Sequence, residues 1–147
     1  MKRCEFSTMM QVLYNHGTAM GRVNQRVLVE GMFDSYLNAK SNRGVFDSSV
    51  VSRWINGERP VSKNVCAYYS TDHARDCLIG DIQIGILPLV ADMYTVEEIL
   101  IEIIREDRGI SAGKKRELLE PALRGDMAEF LADLIIFVIN RPEERLR

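Results

Sequence analysis

The sequence of 147 residues predicts an all-α protein, and two observations support this prediction. Apolar residues recur at three- and four-residue spacing through most of the chain, which is the periodicity of one helix face. Alternating runs typical of strands are short, and no Asn-Gly or Asp-Gly pair separates two β-branched runs. With 46% hydrophobic residues the chain can bury a core, so we expect a globular helical fold.

Four helices are predicted in the first part of the chain. The first spans residues 6–15 and the second residues 21–38, because both carry apolar side chains along one face. A short third helix covers residues 48–56. Ser62 is predicted to cap a fourth helix that runs towards Leu78, since a serine hydroxyl can accept a bond from a free amide of the first turn.

Three further helices are predicted near the end of the chain. Thr95 precedes an apolar stripe and is followed by Glu98 at the capping-box spacing, which indicates the start of a helix. Residues 111–120 predict a shorter helix that ends or bends at the following proline. Asp126 repeats the capping pattern and begins the last helix.

The last predicted helix is apolar on every side from Leu134 to Ile139. A helix of this kind must be buried all round, in a core or against a partner. We therefore expect residues 96–139 to form the surface for a homodimer or for a helical partner protein. Burial inside one larger helical bundle explains the pattern equally well.

The charge distribution suggests two units, residues 1–80 and residues 81–147. The first holds ten Lys and Arg against seven Asp and Glu, net +3, and the second holds nine against fourteen, net −5. This asymmetry is typical of a chain that binds a polyanion through its basic first part alone. Gly80 is predicted to loosen the chain between a first unit and a C-terminal helical bundle or extension, although it could equally mark a turn inside one helical domain.

Several classes of protein are not indicated. Three cysteines without a CxxC pair argue against a disulfide framework or a metal site, so we expect reduced thiols and no cofactor. No long apolar segment predicts a signal peptide or a membrane span, so we expect a cytoplasmic protein without membrane contact.

An enzyme is not predicted either. The sequence shows no nucleophile elbow, no HExxH motif and no supported Ser/His/Asp grouping. One acidic cluster could hold paired catalytic carboxylates, but helical spacing puts most of its members opposite an Ile and Leu stripe, so we interpret it as a solvated helix face. The cluster comprises Glu97, Glu98, Glu102, Glu106 and Asp107.

The stretch DSSVVSRWINGERPVSK, residues 47–63, is the most informative about function. Its apolar residues, with Trp54 among them, form an inward helix face and leave serines and Arg53 outside. Asn56-Gly57 then predicts a sharp left-handed stop, after which further cations follow. A short helix that reads DNA needs this order, because its outer side enters the groove and the next loop meets the sugar-phosphate backbone.

The same stretch resembles the recognition helix and following loop of the lambda-repressor-like helix-turn-helix family, which includes phage repressors and XRE-type regulators. The preceding connection, residues 32–47, is longer than the turn of that family. The resemblance implies a helix-turn-helix unit, sequence-specific binding of double-stranded DNA and transcription regulation as a homodimer. The residues implied to face base edges are Ser48, Ser49 and Arg53, and those implied to face the DNA backbone are Ser52, Asn56, Arg59 and Lys63. We also expect Arg43, in the loop before this helix, to hold a phosphate of the DNA backbone.

A second interpretation stays open. The helix-turn-helix could serve only as a scaffold, with the acidic helical half as the working surface of a protein-protein interaction adaptor, because fold does not fix function. This interpretation predicts a helical partner protein and no salt-sensitive binding of duplex DNA.

Overall fold

A computed structural model of the protein describes residues 3–17, 23–39 and 46–141. All regular structure in these ranges is helical, which confirms the predicted all-α class. None of the helices in these ranges is long and apolar enough to cross a membrane. The helices are α1 (Phe6–Gly17), α2 (Gln25–Met32), α3 (Asp34–Ala39), α4 (Ser48–Ile55), α5 (Lys63–Tyr68), α6 (Asp72–Gly85), a 3-10 helix (Leu87–Leu89), α7 (Met93–Glu106), α8 (Ala112–Leu123) and α9 (Met127–Ile139).

The apolar helix α9 is buried within the chain itself. It packs against α6 and α8 and also touches α1. Of the two alternatives for this helix, burial inside one bundle is therefore the one observed. Its buried residues are Ala128, Phe130, Leu131, Ala132, Leu134, Ile135, Val138 and Ile139.

Helix α6 connects the two charge halves of the chain. It packs against α2 and α3 and also against α9. The approach to α2 is close, because a Cβ atom added to Gly85 would lie 3.0 Å from the carbonyl oxygen of Gly31. Two glycines at the crossing therefore let the backbones of α2 and α6 come together.

Gly80 does not loosen the chain, and this part of the prediction is wrong. Helix α6 continues through residue 80, where the added Cβ would meet no atom within 4 Å. The predicted junction between residues 80 and 81 thus falls inside a helix, while the division into two units stays a prediction.

The helix predicted to run from Ser62 towards Leu78 is two helices, α5 and α6. Thr71 caps the second one, because its hydroxyl accepts from the Ala74 amide at 3.2 Å.

The second predicted helix is likewise two helices, α2 and α3, with the break at Phe33. A break leaves first-turn amides unpaired unless another group accepts from them. Here the Asp81 carboxylate accepts from the Ser35 amide at 2.9 Å, and the Tyr69 hydroxyl accepts from the Tyr36 amide at 3.2 Å. Both acceptors come from distant parts of the chain, so the break is satisfied by tertiary contacts.

Two of the remaining helices begin at the predicted capping residues. Ser62 and Asp126 each accept a bond from an amide of the first turn of α5 and α9, and Ser111 caps α8 in the same way. Helix α7 differs, because Asp92 rather than Thr95 is its cap. The Thr95 amide donates to Asp92 Oδ1 at 3.0 Å, so the helix begins earlier than predicted.

Asp107 does not belong to a solvated acidic face, contrary to the prediction. It is 2% exposed, and its carboxylate pairs with the Arg141 guanidinium and accepts from the Cys4 and Gly109 amides. Burial alone would raise the pKa of Asp107, but the bonds from Arg141 and the two amides outweigh it and lower the pKa to about 2. This ion pair ties the segment before α1 to the chain that follows α7 and α9.

Candidate nucleic-acid interface

Helix α4 begins at a local cap. Asp47 has extended backbone angles, and its Oδ1 accepts from the Ser49 amide at 2.8 Å and from the Ser49 hydroxyl at 2.6 Å. These bonds hold the pKa of the Asp47 carboxyl below its ordinary value, with the Ser49 hydroxyl as the main cause. The cap therefore carries a full negative charge at neutral pH.

The end of α4 is a Schellman motif, which stops the helix abruptly. Gly57 has φ +76°, its amide donates to the Trp54 carbonyl at 3.3 Å, and the Glu58 amide donates to the Arg53 carbonyl at 2.9 Å. A side chain at Gly57 would be strained by this φ and would meet the Ser7 hydroxyl at 3.2 Å. The left-handed stop predicted from Asn-Gly is thus confirmed.

The inward face of α4 fixes which side of the helix meets solvent. Val51, Trp54 and Ile55 are only 1%, 3% and 2% exposed, and the helix packs against α1 and α2. The Phe46 ring meets Trp54 edge-on, with ring centroids 5.3 Å apart. A rotation of α4 about its axis would expose these side chains, so burial holds the opposite face outward.

Most of the predicted site residues lie on that outward face. Ser49, Arg53 and Asn56 are exposed and follow one another at helical spacing, and Ser48 is exposed beside them. Ser52 is partly buried, and its hydroxyl accepts from the Asn56 amide group at 3.4 Å. The predicted backbone contact Arg43 lies outside the described residues.

Two further predicted residues extend the same surface. Arg59 and Lys63 are exposed after the helix stop and line a recess of about 510 Å³ together with Trp54. Neither they nor Arg53 form an ion pair or side-chain hydrogen bond with another described residue. By contrast, Arg75 pairs with Glu129 and Asp133. Unpaired cations are free to neutralise phosphates.

Arg26 and Glu30 of α2 also belong to this surface, and the sequence interpretation missed both. Arg26 Nη1 donates to the Ser48 hydroxyl at 3.1 Å, and its Nε lies 3.6 Å from Glu30 Oε2. Glu30 also accepts from the Phe46 amide at 2.7 Å and so holds the segment that enters α4. The only signal in the sequence is an Arg and a Glu four residues apart on α2, a pattern common on solvated helices.

Helix α4 projects between two recesses of the protein surface. One, of about 290 Å³, lies between the start of α2 and Ser48, and the other lies between the end of α4 and the start of α5. No group of three or more His, Cys, Asp or Glu side chains in the described ranges could hold a metal ion. The surface therefore offers serine hydroxyls, the guanidinium and ammonium groups of its cations, the capping carboxylate of Asp47, and the carboxylates of Glu30 and Glu58.

No protein-family model, curated protein or solved structure matches the chain. The resemblance to the lambda-repressor-like family thus remains a prediction that depends on residues 47–63.

Proposed function

We propose that the protein binds double-stranded DNA in a sequence-specific manner and regulates transcription in the cytoplasm, with α4 in the major groove. The observation that carries this proposal is the two-sided character of α4. Its apolar side chains are buried, while Ser48, Ser49 and Arg53 are exposed, and Arg26 of α2 contacts the Ser48 hydroxyl at one edge of this face. A helix anchored on one side and bare on the other is what groove insertion requires.

The dimensions of α4 agree with this role. An α-helix with its side chains is about 10–12 Å across, and the major groove is about 12 Å wide, so the groove admits one helix such as the 8-residue α4. With the outer face of α4 against base edges, Arg59 and Lys63 lie where the helix ends and the chain turns away. Arg53 can donate two bonds to guanine O6 and N7, whereas Arg59 and Lys63 serve phosphates.

Fluorescence anisotropy with labelled duplex DNA at several salt concentrations tests the proposal. The purified full chain is first used to select its preferred duplex from a random pool. The logarithm of affinity is expected to fall with the logarithm of salt concentration, with a slope of about −0.9 for each phosphate contact. An absence of salt-dependent duplex binding would reject the proposal.

Two variants separate the roles of the cations. Arg53→Ala is expected to cost about 1–3 kcal/mol at the selected site and to weaken sequence preference. Arg59→Ala should weaken binding to all duplexes and reduce the salt slope by about one contact. Arg116→Ala removes another exposed arginine, from α8, and serves as the matched control, for which we expect neither effect.

The second candidate, a protein-interaction adaptor, is favoured by one observation on the acidic half. Ile84 and Leu123 are 82% and 81% exposed, and their neighbours Gln83 and Arg124 line one recess of about 630 Å³. Large exposed apolar side chains near a recess are typical of protein contact sites. Since Leu123 lies within residues 96–139, a homodimer could use the same surface.

Light scattering and a paired substitution test the second candidate. If the surface binds a second copy, Ile84→Glu with Leu123→Glu should convert a dimer to a monomer at the same protein concentration. The homodimer is excluded if the wild-type chain is monomeric at all concentrations. If the double variant still binds duplex DNA, the DNA contact belongs to a different surface from the one around Ile84 and Leu123.

A further inference from the structure

The two serines at the start of α4 present opposite hydrogen-bonding groups. The Ser49 hydroxyl donates its only proton to Asp47 Oδ1 at 2.6 Å, so it can offer only lone pairs to a ligand. The Ser48 hydroxyl accepts from Arg26 Nη1 at 3.1 Å and keeps its proton free to donate. Without these two neighbours, either hydroxyl could act as donor or acceptor.

Asp47 adds a second acceptor on the outward side of α4. The side chain is exposed, and both of its bonds to Ser49 use the same oxygen, Oδ1. A carboxylate has about four lone-pair sites, so acceptor capacity is left for a ligand. A charged acceptor repels phosphate, but it can receive a hydrogen bond from the exocyclic amino group of cytosine in the major groove.

Arg53 lies further along the same helix and supplies donors. It is six positions after Asp47 in the chain, which corresponds to about 9 Å along a helix axis. Base pairs of duplex DNA are spaced by about 3.4 Å, so the two side chains lie two to three base pairs apart if the helix follows the groove. The outer face of α4 thus offers acceptors at its beginning and a two-pronged donor near its end.

We propose that Asp47 is a specificity-determining residue of the DNA-binding surface and accepts a hydrogen bond from the N4 amino group of a cytosine. Arg53 reads a guanine two or three base pairs away, and Ser49 supports Asp47 as a second acceptor. This inference rests on the proposed function and specifies its ligand as a duplex with G·C pairs at these two positions. Asp47 lowers affinity for DNA in general and raises the preference for one sequence.

Two substitutions that each remove the negative charge of Asp47 test its role. Asp47→Asn removes the charge but keeps a good capping residue, and Asp47→Ser is a second capping variant without a carboxylate. Glu58→Gln is the control, because Glu58 is an exposed carboxylate just beyond the end of α4. Binding is measured by anisotropy on the selected duplex, on a duplex with the cytosine replaced by thymine, and on a random duplex.

For the wild-type chain, the change from cytosine to thymine should weaken binding about tenfold to 100-fold, because thymine O4 is an acceptor opposite the carboxylate. Asp47→Asn and Asp47→Ser should reduce this ratio to about threefold or less. Glu58→Gln should leave the ratio unchanged. All three variants should bind the random duplex more tightly than the wild-type chain, since each removes one negative charge.

The outcomes separate the inference from the function on which it rests. If the wild-type chain binds no duplex, the proposed function itself is wrong. If it binds a selected duplex that lacks cytosine and guanine at this spacing, the role of Asp47 is wrong while DNA binding stands. The role of Asp47 is also wrong if both Asp47 variants fold with the helix content of the wild-type chain and still lose as much affinity on the change from cytosine to thymine as Glu58→Gln does.

Discussion

Replacement of Gly85 by alanine tests the close crossing of α2 and α6. The new Cβ would lie 3.0 Å from the Gly31 carbonyl oxygen and 3.2 Å from its Cα atom. Both are backbone atoms of a packed helix and cannot rotate away, so α2 has to move by a few tenths of an ångström. Gly80 provides the matched control, because it lies in the same helix and its added Cβ meets nothing within 4 Å.

The two alanine variants should change stability in opposite directions. Overpacking in a close-packed interior costs about 1–3 kcal/mol, while alanine gains up to about 1 kcal/mol over glycine in a helix. For Gly85→Ala we expect the free energy of unfolding to fall by about 1–2 kcal/mol, since the propensity gain is smaller at the last residue of α6. For Gly80→Ala we expect a rise of about 0.5–1 kcal/mol.

Urea denaturation followed by circular dichroism measures both values, and thermal unfolding gives a second readout. One kcal/mol corresponds to a shift in Tm of about 2–4 °C for a chain of this size. If Gly85→Ala proves as stable as Gly80→Ala, the backbones are not in the close contact described, and the packing argument for this crossing fails.

Three further predictions concern buried polar groups. The pKa of Asp107 is lowered from 3.8 to about 2, so its contribution to stability is present above pH 4 and should fall by about 2 kcal/mol between pH 4 and pH 2. In denaturation measured across that range, Asp107→Asn should lose this share of the pH dependence, while the share from Asp47, Asp92 and Glu129, whose pKa values are also lowered, should persist. Tyr69→Phe leaves the buried amide of Tyr36 unpaired and should cost about 1–3 kcal/mol in urea denaturation. In the same assay Tyr68→Phe should cost much less, and equal losses would contradict the assignment. Burial raises the pKa of the Cys4 thiol to about 12, so Cys4 should resist a disulfide reagent in the native chain. The half-buried Cys66 and Cys77 should react with the reagent. Mass spectrometry of the labelled peptides measures which cysteines have reacted.

Local signals were enough to predict several features of the fold. Ser62 and Asp126 cap helices as expected, because the capping oxygen and the amide that donates to it are three residues apart. The Asn-Gly stop after α4 is equally local, since only glycine adopts its φ without strain. For the same reason the inward and outward faces of α4 could be assigned from spacing alone.

Features that depend on distant residues could not be predicted. The break at Phe33 is stabilised by Asp81, and no pattern near Phe33 indicates this acceptor. Asp107 looked like one more solvated acid because Arg141, its partner, follows 34 residues later. The division before α6 is different, because its signal is local: Thr71 caps α6, while the apolar spacing that continues on either side of Thr71 favours one helix.

The site shows the same limit. Ser48, Ser49 and Arg53 could be found from the helical pattern, but the donor and acceptor character of each serine depends on Asp47 and on Arg26. Arg26 belongs to another helix, so only the folded arrangement of α2 against α4 shows which hydrogen-bonding groups the surface offers.

The shared position of α6 limits how the protein can be divided for biochemical work. A fragment that stops at residue 80 would lose Ile82 and Ile86, both fully buried, and with them about 3–6 kcal/mol of apolar burial. That loss is comparable to the whole stability of a small domain. A truncated protein that keeps α4 folded must therefore extend at least through Ile86, and proteolysis of the native chain should not release the basic half by cutting near Gly80.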